Sequence, residues 1–459
     1  MRLKTTVSGV TYQFDSVRDV LAKANEEKSG DVLLGIAARS AGERAAAKVV
    51  LSELTLEDIR NNPVIDPDID EVARIEEETI NETIYDEIKN WTVSYLREKI
   101  LAHETNSCEI LRIGRGITGA IASAVAKIMS TMDLIYAGKK IIVRATCNTT
   151  IGNPENLAFR LQCNHPTDSP EGILLSVMEG ASYGCGDACI GINPVDDTTN
   201  NVTAIMDAIY EFMMEWEMPT QTVVLGHLST QMECIEKGAK ASMLFQSLAG
   251  TEVANEAFGI NDKMLTEGCE LIGKYGIASG PNLMYFETGQ GSELSIEAAH
   301  EIDQLTLEAK KYVMARKYRP FMLNTVSGFI GPETIFDGRQ MLRASIEDHF
   351  MGKLLGIPMG TAPVYTNHTI MDQNDHEMAT MLLALGGSNF FMGVPCGDDV
   401  MLSYQDTSFH DNATLRELTG RKPIREYHDW LIKHEIMDES GILTPKAGDA
   451  TLFFKRGGA

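Results

Sequence analysis

The chain has 459 residues, of which 44% are hydrophobic and 23% charged, ordinary values for a folded protein that exclude wholesale disorder. Its 65 acidic and 40 basic residues give a net charge of −25, which opposes non-specific binding to nucleic acid or to an anionic membrane. We therefore expect no nucleic-acid or membrane partner, and a small or cationic substrate instead of a polyanion.

The amino terminus and the cysteines indicate a protein that is not exported. Met1–Thr6 has a basic flank but no apolar segment follows it, and no run approaches the ~20 apolar residues of a membrane span. Eight cysteines in so long a chain are too sparse for a disulfide scaffold, so we expect reduced thiols and a cytoplasmic location. The close pair Cys185 and Cys189 lacks a metal-site spacing and is interpreted as structural; no metal ligand is predicted.

The first part of the chain, residues 1–120, predicts a mostly helical N-terminal region. It starts with a short β segment, Leu3–Phe14, and the charged helical sequence that follows is divided at Asn61–Pro63 and Pro67.

A glycine motif near the end of this region, Gly114–Gly119, matches the GxGxxG pattern of dinucleotide-binding loops. Such a site requires a strand before the glycines and an acidic residue about 20 positions later, within one βαβ unit. Cys108–Ile113 is a poor strand because charged residues interrupt it. Thr118 instead suits the N-cap of a helix over Ala120–Met132, so we predict no dinucleotide site here.

Beyond residue 140 or so, short β-rich runs alternate with amphipathic helical segments, the pattern of βα units and a parallel sheet. With Lys140–Ala145 set aside as a lead-in, eight runs remain: Leu157–Gln162, Cys189–Asn193, Thr222–His227, Met243–Ser247, Leu283–Glu287, Phe321–Val326, Ile357–Thr361 and Phe390–Val394. The clearest helical segments are Val202–Glu217, Ile296–Arg316, Arg339–Lys353 and Met378–Leu385. Eight repeats predict an α/β fold, a closed (β/α)8 TIM barrel over residues 121–425, with residues 426–459 as a tail packed on it.

The carboxyl ends of these runs carry polar side chains, and in a barrel of this type those ends hold the active site. Arg160 and Gln162 end the first run and share a face. Asn193 ends the second run and Glu287 the fifth. This set suits a small polar molecule held by directed hydrogen bonds, with one carboxylate for an ammonium group. It includes no strong nucleophile and no redox group, so difficult chemistry there would come from a cofactor.

Recognisable segments run in order through the whole chain. They are Val32–Ala38, Asp58–Val64, Asn148–Gly152, Arg160–Gln162, Gly186–Ala188, Asn193–Val195, Phe245–Ser247, Tyr285–Ser292, Phe329–Glu333, Glu347–Lys353, Tyr365–His368, Asp372–Asn374 and Gly397–Asp399. In these segments, from about residue 3 to about residue 454, the sequence resembles the large (heavy) chain of ethanolamine ammonia-lyase. The resemblance implies a TIM barrel with an N-terminal extension, in agreement with the independent strand count.

The activity that the resemblance implies is the conversion of ethanolamine to acetaldehyde and ammonia, with adenosylcobalamin as the source of an organic radical. It implies that Arg160 and Asn193 bind the substrate hydroxyl. Glu287 would bridge the hydroxyl and amino groups, and Gln162 would hold the migrating nitrogen. Arg160, Asn193 and Glu287 are therefore the expected catalytic residues.

The resemblance also implies a cofactor site and a partner. Val326 and Phe329 match the apolar wall of the substrate pocket. The positions that match cobalamin or adenosyl contacts are Pro194, Gln246, Ser247, Ser295 and Met401. No D-x-H-x-x-G motif occurs, which implies that cobalamin keeps its own base on cobalt, without a protein histidine. A small (light) subunit is expected to complete this site in a hexamer of heavy–light pairs, and a bacterial microcompartment is an alternative setting to the open cytoplasm.

Two positions depart from the family pattern. Ala362 stands where the family has an aspartate that binds the substrate ammonium, and Ala257 stands where it has a glutamate near the adenosyl ribose, with Glu256 next to it as a replacement. With Arg160, Glu287 and an ammonium, the pocket sums to +1, whereas the family set sums to zero. Leaving a buried charge uncompensated costs ~3–5 kcal/mol.

Several alternatives follow from these residues. Another acid fills the gap at Ala362, the enzyme is a slow ethanolamine lyase, or it is a paralogue for a different small amino alcohol or diol. A cobalamin-free, metal-dependent barrel lyase or aldolase would use His227, Glu287 and His368. A catalytically inactive structural subunit would bind a light chain without turnover.

Overall fold

The computed structural model describes residues 1–366 and 368–454. The chain begins with an antiparallel hairpin of β1 (Lys4–Val7) and β2 (Val10–Gln13). Ten helices follow before the barrel: α1 (Val17–Ala24), α2 (Ser29–Leu33), α3 (Ala41–Glu53), α4 (Leu56–Arg60), α5 (Glu71–Thr79), α6 (Glu82–Ile88), α7 (Val93–Leu101), α8 (Ser107–Gly114), α9 (Gly119–Lys127) and α10 (Thr131–Lys140).

A small hairpin leads into the barrel. It pairs β3 (Ala145–Thr146) with β4 (Thr150–Ile151). The β run read at Lys140–Ala145 is therefore wrong, because Lys140 ends α10 and only Ala145 belongs to a strand. Lys139 and Lys140 stand in the last turn of α10, where basic residues suit the helix dipole, which favours helix up to that point.

Eight parallel strands form the barrel, which confirms the predicted fold class. They are β5 (Ala158–Gln162), β6 (Cys189–Ile192), β7 (Thr222–Val224), β8 (Leu244–Ser247), β9 (Met284–Thr288), β10 (Met322–Val326), β11 (Met359–Ala362) and β12 (Phe390–Gly393). Their order is β7-β6-β5-β12-β11-β10-β9-β8. The remaining gap is bridged by hydrogen bonds, since Ser242 N donates to Thr222 O (3.3 Å) and Thr222 N donates to Ser242 Oγ (3.1 Å).

Helices alternate with these strands and continue after them. They are α11 (Pro170–Ser182), α12 (Thr199–Glu215), α13 (Leu228–Glu236), α14 (Glu252–Ala257), α15 (Asp262–Tyr275), α16 (Gln304–Lys317), α17 (Gly338–Leu354), α18 (Gln373–Leu385), α19 (Phe409–Thr419) and α20 (Arg425–Lys433). Short 3₁₀ turns occupy Leu294–Ile296, Pro395–Gly397 and Ala450–Phe453.

The helix predicted over Ile296–Arg316 is wrong in its first two turns, because α16 begins only at Gln304. Glu297, His300 and Glu301 have positive φ angles, which a right-handed helix cannot contain. The other three predicted helices lie within α12, α17 and α18, apart from one or two terminal residues.

The glycine motif serves helix packing. Cys108–Ile113 lies in α8, so no strand precedes the glycines, and Thr118 caps α9 as predicted. The helix read over Ala120–Met132 is wrong in extent, since α9 ends at Lys127. A β-carbon at Gly114 would lie 2.0 Å from the carbonyl oxygen of Leu354. Glycine therefore lets the N-terminal helices approach α17 closely.

Helix α16 joins the N-terminal helices to the barrel. All of its residues from Gln304 to Ala315 are buried. Its buried cations have partners on other elements: Lys310 Nζ lies 3.2 Å from Glu76 on α5, and Lys311 Nζ lies 3.1 Å from Glu293. Asp303, the N-cap residue, pairs with Lys127 of α9 at 2.8 Å.

The last described segment packs on the barrel helices. Trp430 of α20 stacks on Phe453 with ring planes 4° apart, and its indole N–H donates to Trp216 O (2.8 Å). The predicted tail extends to residue 459, and residues 455–459 lie outside the described residues. The division of the chain at residues 120 and 425 stays a prediction. Every helix in the described part of the chain is too short or too polar to span a lipid bilayer.

Candidate active site

Arg160 and Glu287 meet across the barrel. Arg160 lies on β5 and is fully buried, and its Nη1 donates to Glu287 Oε1 (2.9 Å) on β9. The same nitrogen donates to the hydroxyl oxygen of Tyr285 (2.7 Å), and that hydroxyl donates to Glu287 Oε1. One carboxylate oxygen is thus held by two donors. In the described part of the chain, Glu287 Oε2 has no partner and its side chain is 18% exposed, so it can accept a hydrogen bond from a ligand.

The charges of this cluster support each other. Burial opposes the charge of Arg160, but Tyr285 and Glu287 outweigh it and raise the pKa of the guanidinium above its usual value. Burial also raises the pKa of Tyr285, with Glu287 adding to the effect and Arg160 opposing it. Tyr285 is therefore a neutral hydroxyl that donates to the carboxylate.

Gln162, two residues along β5, has its amide orientation fixed by its neighbours. Its Nε2 donates to Asp399 Oδ2 and to the Tyr404 hydroxyl (2.9 Å). Asn164 donates to the same carboxylate oxygen (2.6 Å), and the backbone N–H of Met401 donates to Oδ1 (3.0 Å). Because a carboxylate accepts hydrogen bonds, the NH₂ side of Gln162 must face Asp399.

The carbonyl oxygen of Gln162 is left without a partner. Gln162 is fully buried, and its Oε1 has no hydrogen-bond partner in the described part of the chain. A buried acceptor that makes no bond costs about 1–3 kcal/mol. The site thus offers a fixed acceptor, Gln162 Oε1, on the same inward face of β5 as Arg160, which pairs with Glu287.

Three further predicted site residues are more exposed than Arg160 and Gln162. They are Asn193, Val326 and Phe329. Asn193 follows β6 and is half-buried; its backbone N–H donates to Asn164 Oδ1 (2.8 Å), which leaves its side-chain amide available. Val326 is half-buried at the end of β10. Phe329 is 40% exposed and packs edge-on against Tyr404, with ring centroids 5.6 Å apart.

Ala362 places an apolar surface beside the site. It ends β11, pairs in register with Val326 and is 1% exposed. It packs in one cluster with Val364, Met392 and Tyr404. This wall of the site therefore carries no charge.

Comparison with known proteins bears on this arrangement. The family model described as ethanolamine ammonia lyase large subunit matches residues 12–446. The ethanolamine ammonia-lyase large subunit of Salmonella typhimurium is 50% identical over 454 residues, which cover 99% of this chain and 100% of that protein. The corresponding proteins of Escherichia coli K12 and O157:H7 are 49% identical with the same coverage. The chain belongs to the ethanolamine ammonia-lyase large-subunit family.

Membership of this family makes the chain a lyase subunit, and it sets the positions to compare for a cofactor. Three of these positions, Pro194, Ser295 and Met401, follow the carboxyl ends of strands, and Gln246 and Ser247 are the last two residues of β8. Pro194 and Ser247 are half-buried, Met401 is half-buried, and Ser295 is exposed in the 3₁₀ turn after β9. Gln246 is 5% exposed, and its Oε1 accepts from Leu228 N (3.1 Å). This oxygen therefore already has a partner within the barrel.

The second position that is expected to depart from the family pattern, Ala257, lies on α14. Glu256 and Ala257 end α14, and both are exposed. No contact in the described part of the chain fixes Glu256 toward Glu287. The replacement of a family glutamate by Glu256 stays a prediction.

The histidines read as candidate metal ligands do not gather with Glu287. His227 caps α13, and its ring nitrogens contact Ser229 Oγ (2.7 Å) and Phe258 O (3.0 Å). His368 is exposed. Among residues 1–366 and 368–454, no group of three His, Cys, Asp or Glu side chains is placed to hold a metal ion. The described residues therefore do not provide the cluster of ligands that a metal-dependent lyase or aldolase would require.

Cysteine chemistry is equally disfavoured near the site. Cys189 is buried and pairs in register with Arg160, and burial raises its pKa to about 12. Burial raises the pKa of Cys185 as well. Both side chains are free thiols, so they behave as small apolar groups.

Sequence reasoning missed several residues of the site: Tyr285, Asn324, Asp399 and Tyr404. Tyr285 was detectable, because it stands two residues before Glu287 and shares its face. Asn324 pairs in register with Glu287, and neither atom of its buried amide has a partner in the described part of the chain. It is a polar residue near the end of β10, to which the sequence alone assigns no role.

Proposed function

We propose that the chain is the catalytic large subunit of an adenosylcobalamin-dependent ethanolamine ammonia-lyase, acting on ethanolamine or a related small amino alcohol. The observation that carries the proposal is the orphaned Oε1 of Gln162, fixed two residues along β5 from Arg160, which pairs with Glu287. A carbonyl oxygen and a free carboxylate oxygen on one face suit a molecule that presents amino N–H groups and a hydroxyl. The family and the 50% identical relative support the same reaction.

Each predicted substrate contact then has a specific role. Arg160 and Asn193 hold the substrate hydroxyl, and Arg160 also fixes the rotamer of Glu287. Glu287 Oε2 accepts from both the hydroxyl and the amino group. Gln162 Oε1 accepts from the nitrogen as it moves between the two carbons, because Asp399 prevents the amide from turning over. These contacts position the substrate and contribute no nucleophile.

The loops at the mouth of the barrel present apolar side chains that suit a large and partly apolar cofactor. Large apolar side chains are exposed on loops that follow the strands: Val195, Ile296, Phe329, Phe336, Ile370 and Val400. With these, Pro194, Ser247, Ser295 and Met401 would hold the corrinoid and its adenosyl group. When bound, adenosylcobalamin supplies the organic radical that the side chains of the pocket cannot provide. The apolar wall at Val326 and Phe329 excludes water from the substrate below.

We assign cobalt no histidine ligand from this chain. The segment that most resembles a cobalamin-binding D-x-H-x-x-G motif contains His349. This residue lies toward the end of α17, at the end of the barrel opposite to Glu287. Its buried ring packs near Gly138 and Gly386. Burial lowers its pKa well below the usual value, with Lys353 and Arg421 adding to the effect. The base-on form of cobalamin is the form that such a chain can accept.

The exposed apolar side chains at the mouth also suit a protein cover. We propose that a small subunit completes the cobalamin site over these loops, in a hexamer of heavy–light pairs. The setting is the cytoplasm, with a bacterial microcompartment as the alternative.

Reconstitution tests the proposal. The chain, its small subunit and adenosylcobalamin are combined, and aldehyde release from ethanolamine is measured together with electron paramagnetic resonance. We expect aldehyde and a substrate-induced radical signal, both dependent on all three components. Absence of both with a correctly assembled complex would contradict the proposal and favour a structural subunit.

A second candidate function follows from the uncharged wall at Ala362. With no carboxylate at this point, a substrate bearing a methyl group or lacking an ammonium charge loses less on binding. The same complex is therefore assayed with ethanolamine, 2-aminopropan-1-ol, 1-aminopropan-2-ol and propane-1,2-diol. A higher kcat/KM for any of the last three supports a paralogue, whereas turnover of ethanolamine alone excludes it.

A further inference from the structure

A second polar pocket lies at the opposite end of the barrel, near the amino end of β12. It has a volume of about 330 Å³, within the range of small-ligand sites. Segments from four parts of the chain line it: residues 139–143, residues 152–155, residues 384–389 and residues 419–421, together with Lys353 at the end of α17. No step of the proposed lyase reaction uses it.

Two cations, buried Lys353 and half-buried Arg421, line this pocket without a carboxylate counter-ion in the described residues. Lys353 is 3% exposed and Arg421 is half-buried. In the described part of the chain, neither side chain forms an ion pair with a carboxylate. Burial of an unpaired cation is costly, so such an arrangement normally has a partner.

The backbone meets only part of this need. Lys353 Nζ donates to Gly387 O (2.6 Å), and Arg421 donates to Ala384 O (3.4 Å) and Ser388 O (2.8 Å), all near the C-terminal end of α18. A helix C-terminus offers the equivalent of about half a negative charge against these two full positive charges. Arg421 Nε is buried and has no partner in the described residues, and Lys353 has donors left over.

The electrostatics agree with this geometry. Burial, with Arg421 adding to it, lowers the pKa of Lys353 to about 7. Burial and Arg416 lower the pKa of Arg421 to about 10. At the rim, Lys139 and Glu155 are both exposed and cancel each other's charge.

We propose that this pocket binds a tetrahedral dianion of the phosphate type, free or carried as a phosphomonoester, held between Lys353 and Arg421. A dianion neutralises both cations at once. The guanidinium of Arg421 matches two oxygens of such a group, and its Nε gains the acceptor that it lacks. Binding here is independent of the lyase reaction, since the pocket lies at the far end of the barrel from Glu287.

Sulfate is the first probe, because it stays a dianion across neutral pH. Calorimetric titration of the full chain with sodium sulfate, at ionic strength matched with sodium chloride, should give a Kd of about 1 mM or tighter. The affinity should fall about 10-fold between pH 6.5 and pH 8.5, because Lys353 loses its proton in that range. Sulfate that binds no better than chloride overturns the proposal.

A matched pair of variants locates the site. Arg421→Leu should weaken sulfate binding at least about 10-fold, whereas Lys422→Leu, which removes the same charge from the neighbouring residue, should leave it unchanged. Equal binding by the two variants overturns the assignment. Inorganic phosphate and glycerol phosphate are then compared: preference for the ester indicates a metabolite, and preference for phosphate indicates the free ion.

A measurement on the unaltered chain covers the case in which Arg421→Leu fails to fold. Lysines are reductively methylated at pH 7.5 and located by mass spectrometry, with and without sulfate. Sulfate should slow the labelling of Lys353 several-fold and leave that of Lys422 unchanged. Equal labelling of Lys353 under both conditions also overturns the proposal.

Discussion

The two ends of the barrel bury cationic side chains under opposite conditions. At the mouth, Arg160 lies 2.9 Å from Glu287 and beside Tyr285, and these groups raise its pKa although it is fully buried. At the base, buried Lys353 and half-buried Arg421 have backbone carbonyls as partners, and their pKa values fall to about 7 and about 10.

The difference teaches that burial alone does not decide whether a charge survives. A fixed carboxylate makes Arg160 a permanent cation that can orient Glu287. Without such a carboxylate, Lys353 is partly neutral near pH 7 and becomes fully charged only if an anion arrives. One end of the barrel has its electrostatic partner built in, and the other requires one.

The largest effect on activity and stability is expected when Arg160 loses its carboxylate partner, so that the mouth, like the base, holds a buried cation without a counter-ion. Glu287→Gln leaves Arg160 buried without a counter-ion and removes the oxygen that accepts from the substrate. We expect kcat to fall at least about 10³-fold and the free energy of unfolding to fall by about 3–5 kcal/mol. Aldehyde assay and urea unfolding measure these, with the exposed Glu426→Gln as the control. Activity within tenfold of the parent would exclude Glu287 from the reaction.

A smaller effect is expected at the orphaned acceptor. Gln162→Met keeps the volume but removes both the free Oε1 and the anchoring NH₂, so kcat/KM for an amine substrate should fall about 10²-fold. Tyr404→Phe removes one of two anchors and should cost less than about 10-fold, because Asp399 still orients the amide. If Gln162→Met keeps the activity of the parent, Gln162 acts only through packing.

The next effect is expected at the base of the barrel, where the titration of Lys353 makes the free energy of unfolding depend on pH. An unfolded lysine has a pKa of about 10.4 and the folded Lys353 one of about 7, so between these values the unfolded chain binds more protons. The destabilisation is therefore complete below pH 7 and is relieved as the pH rises toward 10. We expect a gain of about 1–3 kcal/mol from pH 7 to pH 9 in phosphate-free buffer.

Comparison with Lys353→Met isolates that contribution. Urea unfolding of the variant should give a flatter profile over the same pH range, since the titrating group is gone. Parallel profiles for parent and variant would show that Lys353 does not titrate there.

The smallest effect is expected at the uncharged wall of the mouth. Ala362→Asp would add a carboxylate beside Val326 and bring the charge of the pocket with an ammonium to zero. We expect kcat/KM for ethanolamine to rise about 10-fold. Ala362→Asn is the control of equal size without charge. A similar change in both variants would contradict the electrostatic explanation.

The fold was largely predictable, because its signals are local. Eight apolar runs separated by helical periodicity predict eight strands, and all eight occur. The failures have physical causes that a local pattern does not contain. Lys140–Ala145 has strand-like residues, but Lys140 is the last residue of α10. The helix predicted from Ile296 begins later, because three residues before it have positive φ angles.

The site was predictable only in part. Arg160, Gln162 and Glu287 stand at strand ends, where parallel topology must bring them together, and the structure brings Arg160 and Glu287 to 2.9 Å. The residues that orient them were not predictable. Asp399 and Tyr404 come from a loop more than 230 residues away from Gln162, and only the closed barrel brings them near.

The burial of α16 has a consequence for the whole molecule. Its Lys310 and its N-cap residue Asp303 find counter-ions on α5 and α9, which precede the barrel in sequence. A barrel expressed without those helices would expose apolar surface and leave Lys310 without Glu76. The N-terminal helices are therefore an integral wall of the barrel, and heat should melt both in a single cooperative transition.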